Sequence, residues 1–121
     1  MSRMIHFEIP SDDPGKAAEF YGNVFGWSFH KWDGPMDYWL ITTGKDDEPG
    51  INGGLGRRTE PGGMVNTIGV ASIDTSLEAI ARAGGKITVP KKAVPGVGWL
   101  AYCVDLDGNT FGVMQADESA A

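Results

Sequence analysis

Apolar and polar positions along the chain follow two alternating periods, and the order of the two recurs. From Ile5 to Ile9 the period is two, with Phe7 and Ile9 on one face and His6 and Glu8 on the other. That predicts a short strand with one side on a core and one polar side, ended by Pro10. Asp13 then suits a helix N-cap and Pro14 the first helical position. Ala17, Phe20, Tyr21, Val24 and Phe25 fall on one helical stripe, and Gly26 supplies a C-terminal stop. Strands are expected over Trp27–Trp32, Tyr38–Thr43 and Ile51–Arg57, the last diluted by Gly53, Gly54 and Gly56. Glycines in a strand weaken it but let another group approach the backbone closely.

After a linker at Thr59–Gly63 the same order returns. Val65–Ala71 reads as a strand, and Asp74 or Thr75 as the cap of a helix, with Thr75 and Glu78 at capping-box spacing. Leu77, Ile80 and Ala81 give the stripe, Gly84-Gly85 the stop, and Lys86–Val89, Gly98–Val104 and Thr110–Gln115 three further strands. Trp39-Leu40 aligns with Trp99-Leu100, Gly53-Gly54-Leu55 with Phe111-Gly112-Val113, and His6-Phe7 with Thr67-Ile68. Such internal repetition predicts one domain over 1–121 made of two βαβββ units, 4–58 and 64–116. Neither unit has enough to bury alone. The expected class is α+β: a curved, mixed, eight-stranded cup with the helices outside.

Composition narrows the function classes. The chain has 121 residues, enough for one core. Ten Lys and Arg against 16 Asp and Glu give a net charge of -6, which argues against nucleic acid and anionic membranes as partners; the acidity reads first as a means of staying soluble, and it would also tolerate or favour a cationic ligand. A single cysteine, Cys103, excludes an intrachain disulfide and a cysteine-based zinc site. With no long apolar run and no basic-then-apolar leader, a cytoplasmic location is expected. The tail Asp117–Ala121 reads as frayed.

The repeat resembles the vicinal oxygen chelate superfamily, which includes glyoxalase I, extradiol dioxygenases and the fosfomycin- and bleomycin-resistance proteins. The resemblance rests on Asp13-Pro14, Lys16-Ala17-Ala18, Phe20-Tyr21 and Val24-Phe25-Gly26-Trp27, on Ala83-Gly84-Gly85, and on Asp105-Leu106-Asp107-Gly108-Asn109. It implies a homodimer. In metal-dependent members it implies ligands on the first and last strands of each unit. Here those positions offer His6, Gly54, Thr67 and Gly112, one ligand in four. The expectation is therefore a small-molecule-binding protein of the bleomycin-resistance kind without a resident metal. His6 and Glu8 are the candidate catalytic pair. Trp39, Asn52, Thr67, Trp99 and Met114 are the candidate binding residues, although sequence alone leaves open which face Trp39 and Trp99 occupy. Gly112 and Met114 are expected on the face opposite Phe111 and Val113. The alternative is a metal-dependent lyase or dioxygenase using a divalent ion at His6 with Glu8, and a further one is metal-free isomerisation by the same pair. His30 and the pair Arg57-Arg58 read as surface residues.

Overall fold

The computed structural model describes residues 2–121 and divides the chain into two compact units, His6–Met64 and Val65–Ala121 with the start of the first strand through Ile5. The element order is β1 (Arg3–Ser11), α1 (Pro14–Phe25), β2 (Ser28–Lys31), β3 (Tyr38–Thr42), β4 (Gly53–Arg57), β5 (Val65–Gly69), α2 (Ile73–Arg82), β6 (Lys86–Val94), β7 (Gly98–Val104) and β8 (Thr110–Ala116). Among the described residues, eight strands, parallel and antiparallel, and two helices make the α+β class and the repeated βαβββ order that the sequence predicts. No helix among the described residues is long and apolar enough to cross a membrane.

In the N-terminal unit the strands lie in the order β2-β3-β4-β1, with β1 parallel to β4 and the other pairs antiparallel. The parallel pair requires a long crossover, which α1, β2 and β3 supply. Asp13 caps α1 as expected, its Oδ1 accepting from Lys16 N at 3.2 Å, and Gly26 closes the helix in the left-handed conformation (φ 75°) that favours glycine. Ile9, Ile41 and Leu55 form the buried centre, with Phe7, Ala17, Ala18, Tyr21, Trp27, Phe29 and Trp39 packed around it. Beyond Gly26 the Trp27 ring stacks on Tyr21 at 5.1 Å and 7°. The helical stripe is consequently narrower than expected: Ala17 and Tyr21 join the core, while Phe20, Val24 and Phe25 are exposed. Strand β1 also runs through Pro10, which pairs with Gly56, rather than ending there.

In the C-terminal unit the order is β5-β8-β7-β6, with β5 parallel to β8. Its core is Ile73, Ala101, Cys103 and Val113, with Ile68, Val70, Leu77, Ile80, Trp99 and Phe111 against it. The cap of α2 is Ser72, whose Oγ accepts from Thr75 N at 3.2 Å, not Asp74 or Thr75. Starting the helix at residue 73 places Ile73 in the core with no exposed surface. Strand β6 extends to Val94, through two register irregularities, where only residues 86–89 are expected from sequence. The tail is pinned rather than frayed. Asp117 accepts from Trp99 Nε1 at 3.0 Å and from Ser119, and Ala120 is buried, its carbonyl accepting from Gly96 N at 3.0 Å.

Candidate functional site

Alternation along β1, β3 and β4 decides which side chains share the open face of the N-terminal sheet. Phe7, Ile9, Trp39, Ile41 and Leu55 all belong to the core beneath α1. Residues of opposite parity therefore emerge on the other face: His6 and Glu8 from β1, Tyr38 and Leu40 from β3, and Gly54 and Gly56 from β4. The two glycines leave bare backbone along the middle strand. Side chains from β1 and β3 flank it.

Tyr38 fills that space. It pairs with Gly56 in the β3–β4 ladder, and a Cβ built on Gly56 would meet its ring at 3.4 Å. A Cβ built on Gly54 would overlap its hydroxyl and the ring carbon that carries it. The phenol thus lies along the glycine backbone, an aromatic cover of the kind that restores packing over strand glycines. Its hydroxyl oxygen lies 3.0 Å from His6 Nε2. Both residues are half-buried.

The surroundings set the charge of this pair. Burial lowers the His6 pKa below the ordinary imidazole value, and the negative charge of Glu8 only partly opposes it. Burial, reinforced by Glu8, pushes the Tyr38 hydroxyl far above the ordinary phenol value. The site at neutral pH is therefore a neutral imidazole hydrogen-bonded to a neutral phenol, in the field of a carboxylate. Tyr38 is held from several sides. Its carbonyl accepts from Trp32 N at 2.8 Å, its ring meets Trp32 edge-on at 6.3 Å, and its neighbour Asp37 pairs with Arg57 at 3.1 Å. Arg57 and Arg58 also bond to Asp12, so the basic pair ties strand ends together instead of lying free in solvent.

The other expected residues fall elsewhere. Trp39 packs in the N-terminal core with Lys31 Nζ 5.5 Å from its ring, and Trp99 packs in the C-terminal core with Lys91 Nζ at 5.0 Å. Both are core-side residues, which settles the face that sequence left open. Asn52 is exposed and precedes β4; its Oδ1 accepts from Thr43 N at 2.9 Å, and it lines a shallow polar depression with Lys45, Asp46 and Glu48. Thr67 is buried in the C-terminal unit opposite Gly112, where an added Cβ would lie 2.7 Å from its Oγ1. Met114 shares the Gly112 face of β8, while Phe111 and Val113 join the core as expected.

The pairing also corrects the repeat alignment. Gly54 lies opposite Glu8, and Gly112 opposite Thr67, so Thr67 corresponds to Glu8 rather than His6 in register. Trp39 pairs with Leu55 but Trp99 with Gln115, two residues beyond the counterpart of Leu55. An offset of two preserves the face of every side chain and changes only its height along the strand.

Over residues 3–44 the sequence matches the bleomycin resistance protein-like N-terminal family. A superfamily member from Vibrio splendidus, described as a glyoxalase/bleomycin resistance protein/dioxygenase, is similar at 17% identity and TM-score 0.66, covering 95% of this chain and 99% of that one. The fold is that of the vicinal oxygen chelate superfamily. A Streptomyces coelicolor methylmalonyl-CoA epimerase is similar at 16% identity and TM-score 0.72, over 98% of this chain and 97% of that one. A protein described as an NAD-dependent benzaldehyde dehydrogenase from Legionella pneumophila is similar at 18% and 0.65, over 93% and 98%. No curated protein matches. Names so different on one vicinal oxygen chelate scaffold mean that activity must be argued from the site.

The superfamily resemblance implies a divalent metal in some members, and the residues here do not fit one. His6 Nε2 is engaged by Tyr38, position 54 carries no side chain, and among the described residues no three His, Cys, Asp or Glu side chains gather as a metal would require. Tyr38 is the residue that sequence reasoning missed. Its signal was present in Gly54 and Gly56, whose bare strand positions require a neighbour to cover them.

Proposed function

We propose that this protein binds a small organic molecule on the open face of the N-terminal unit, without a divalent metal. The observation that carries the reading is the seat of Tyr38: its hydroxyl stands over Gly54 and engages His6 Nε2. The polar groups this face presents are the phenol, imidazole and carboxylate, with apolar contact offered by Leu40. A carboxylate on an acidic protein favours a ligand head with N–H donors, an ammonium or an amide. The match to the bleomycin resistance protein-like N-terminal family supports the same reading. A homodimer, implied by the family resemblance, belongs to this proposal and is checked by light scattering.

The test is a thermal-shift screen of amine- and amide-bearing compounds, run with and without a chelator. Binding to the folded state raises the melting temperature by mass action. Stabilisation that persists in chelator and falls at least tenfold in apparent affinity in Glu8→Gln supports the proposal. Stabilisation that vanishes with chelator overturns it.

A second reading is favoured by the neutral imidazole beside a neutral hydroxyl. A base and an acid of those types, held together, suit metal-free proton transfer at a carbon acid, as in an isomerisation or epimerisation. Solvent deuterium appearing in a ligand recovered from the wild type but not from His6→Ala distinguishes catalysis from binding.

A further inference from the structure

We infer that Tyr38 is the residue that bars a divalent metal from the N-terminal unit, its phenol standing in for the side chain that position 54 lacks. The inference deepens the proposed function and rests on its reading of the open face: it names the residue that decides between an ion and an organic ligand.

The geometry gives Tyr38 two separate effects. Gly54 lies directly opposite Glu8 in the parallel β1–β4 pair, so a side chain at 54 would emerge beside Glu8. His6 shares that face two residues earlier on β1. A carboxylate at 54 would therefore complete a set of one imidazole and two carboxylates on adjacent strands, a donor set suited to a divalent ion with open positions. Tyr38 prevents this first by volume, because its hydroxyl already fills the place where that side chain would start. It prevents it again by chemistry, because the same hydroxyl engages the imidazole nitrogen that a metal would need. Its backbone cannot simply withdraw: the β3–β4 ladder fixes Tyr38 against Gly56, and Arg57 anchors Asp37 beside it. Restoring a ligand at 54 alone should fail, and doing so with the phenol removed should succeed.

The test titrates Co²⁺ calorimetrically into full-length wild type, Gly54→Glu, and the double variant Tyr38→Ala/Gly54→Glu, with melting temperatures and the His6 ring nitrogen NMR signals recorded for each. Wild type is expected to take no stoichiometric Co²⁺ and to keep its His6 signals unchanged. Gly54→Glu should melt several degrees lower, or fail to fold, and take none. The double variant should regain folding and bind one equivalent, with His6 signals broadened and binding lost on adding His6→Ala. Three results would overturn the inference: stoichiometric binding at His6 in wild type, the same in Gly54→Glu at an unchanged melting temperature, or a folded double variant that binds nothing. Should neither variant fold, the wild-type arm can still overturn the inference, through stoichiometric binding at His6. A wild type that binds neither Co²⁺ nor any small molecule leaves this inference standing and overturns the proposed function instead.

Discussion

The Tyr38 hydroxyl lies 3.0 Å from His6 Nε2 and occupies the space in which a side chain at Gly54 would begin. One phenol thus covers a glycine strand and satisfies an imidazole, and both roles can be measured.

The cover makes Gly54 and Tyr38 energetically coupled. Overfilling a packed site typically costs about 1–3 kcal/mol, and Gly54→Ala should destabilise the protein by that much in urea denaturation. In a Tyr38→Ala background the same change should be neutral or slightly stabilising, because position 54 is not a positive-φ glycine and alanine restricts the unfolded chain. A double-mutant cycle should therefore show coupling; additive costs would mean the phenol does not sit over Gly54.

Stability should depend on pH through His6. Its folded pKa is lowered from 6.5, mainly by burial, so the unfolded chain binds the proton more readily. The contribution is fully present above the unfolded value and is lost as pH falls through the lowered one. Midpoints of urea denaturation should fall as pH drops below about 6.5, before most carboxylates titrate. His6→Gln should flatten that part of the profile. A midpoint that rises on acidification through this range contradicts the burial of a neutral imidazole.

Two leucines separate the faces of the N-terminal sheet. Leu55 is fully buried against α1, whereas Leu40, its neighbour across the ladder by one residue, is 42% exposed on the open face. Leu55→Ala should cost about 2–5 kcal/mol through lost burial and a cavity. Leu40→Ala should change stability by about 0.5 kcal/mol or less. Equal effects would mean the faces are assigned wrongly.

The helix caps give a further check. Asp13→Ala and Ser72→Ala should each cost about 0.5–2 kcal/mol, since each removes an acceptor for a first-turn N–H. Thr75→Val keeps shape and leaves that cap bond in place, so it should cost less than Ser72→Ala. The reverse order would place the cap where sequence spacing suggested.

The repeated βαβββ order was legible because it is written in local signals: the alternation Phe7–Ile9, the Asp13-Pro14 start and the Gly26 stop each follow from the residue's own backbone preference. Errors came where a non-local contact overrode such a preference. Ser72 rather than Thr75 begins α2 because Ile73 is needed in the core, and β1 continues through Pro10 because Gly56 pairs with it. Phe20 and Val24 lie on the helical stripe by angle, yet the Trp27 ring, turned back by Gly26, takes the place on Tyr21.

The site was half legible. Strand parity placed His6 and Glu8 on a polar face and Gly112 with Met114, and the face opposite His6 and Glu8 is indeed core. Parity marks Gly54 as an empty position but cannot say which cross-strand side chain leans into it, and that choice falls to Tyr38. For Trp39 and Trp99 the deciding residues were Ile41 and Ala101, buried at the same parity on the same strands.

The His6 imidazole is engaged by a phenol and, on the reading proposed above, by no ion. Elemental analysis of protein purified without chelator, beside His6→Ala purified in the same way, tests it most directly. Divalent metal far below one equivalent is expected in both samples. One equivalent of nickel, zinc, manganese or iron in the wild type, absent from His6→Ala, would contradict it.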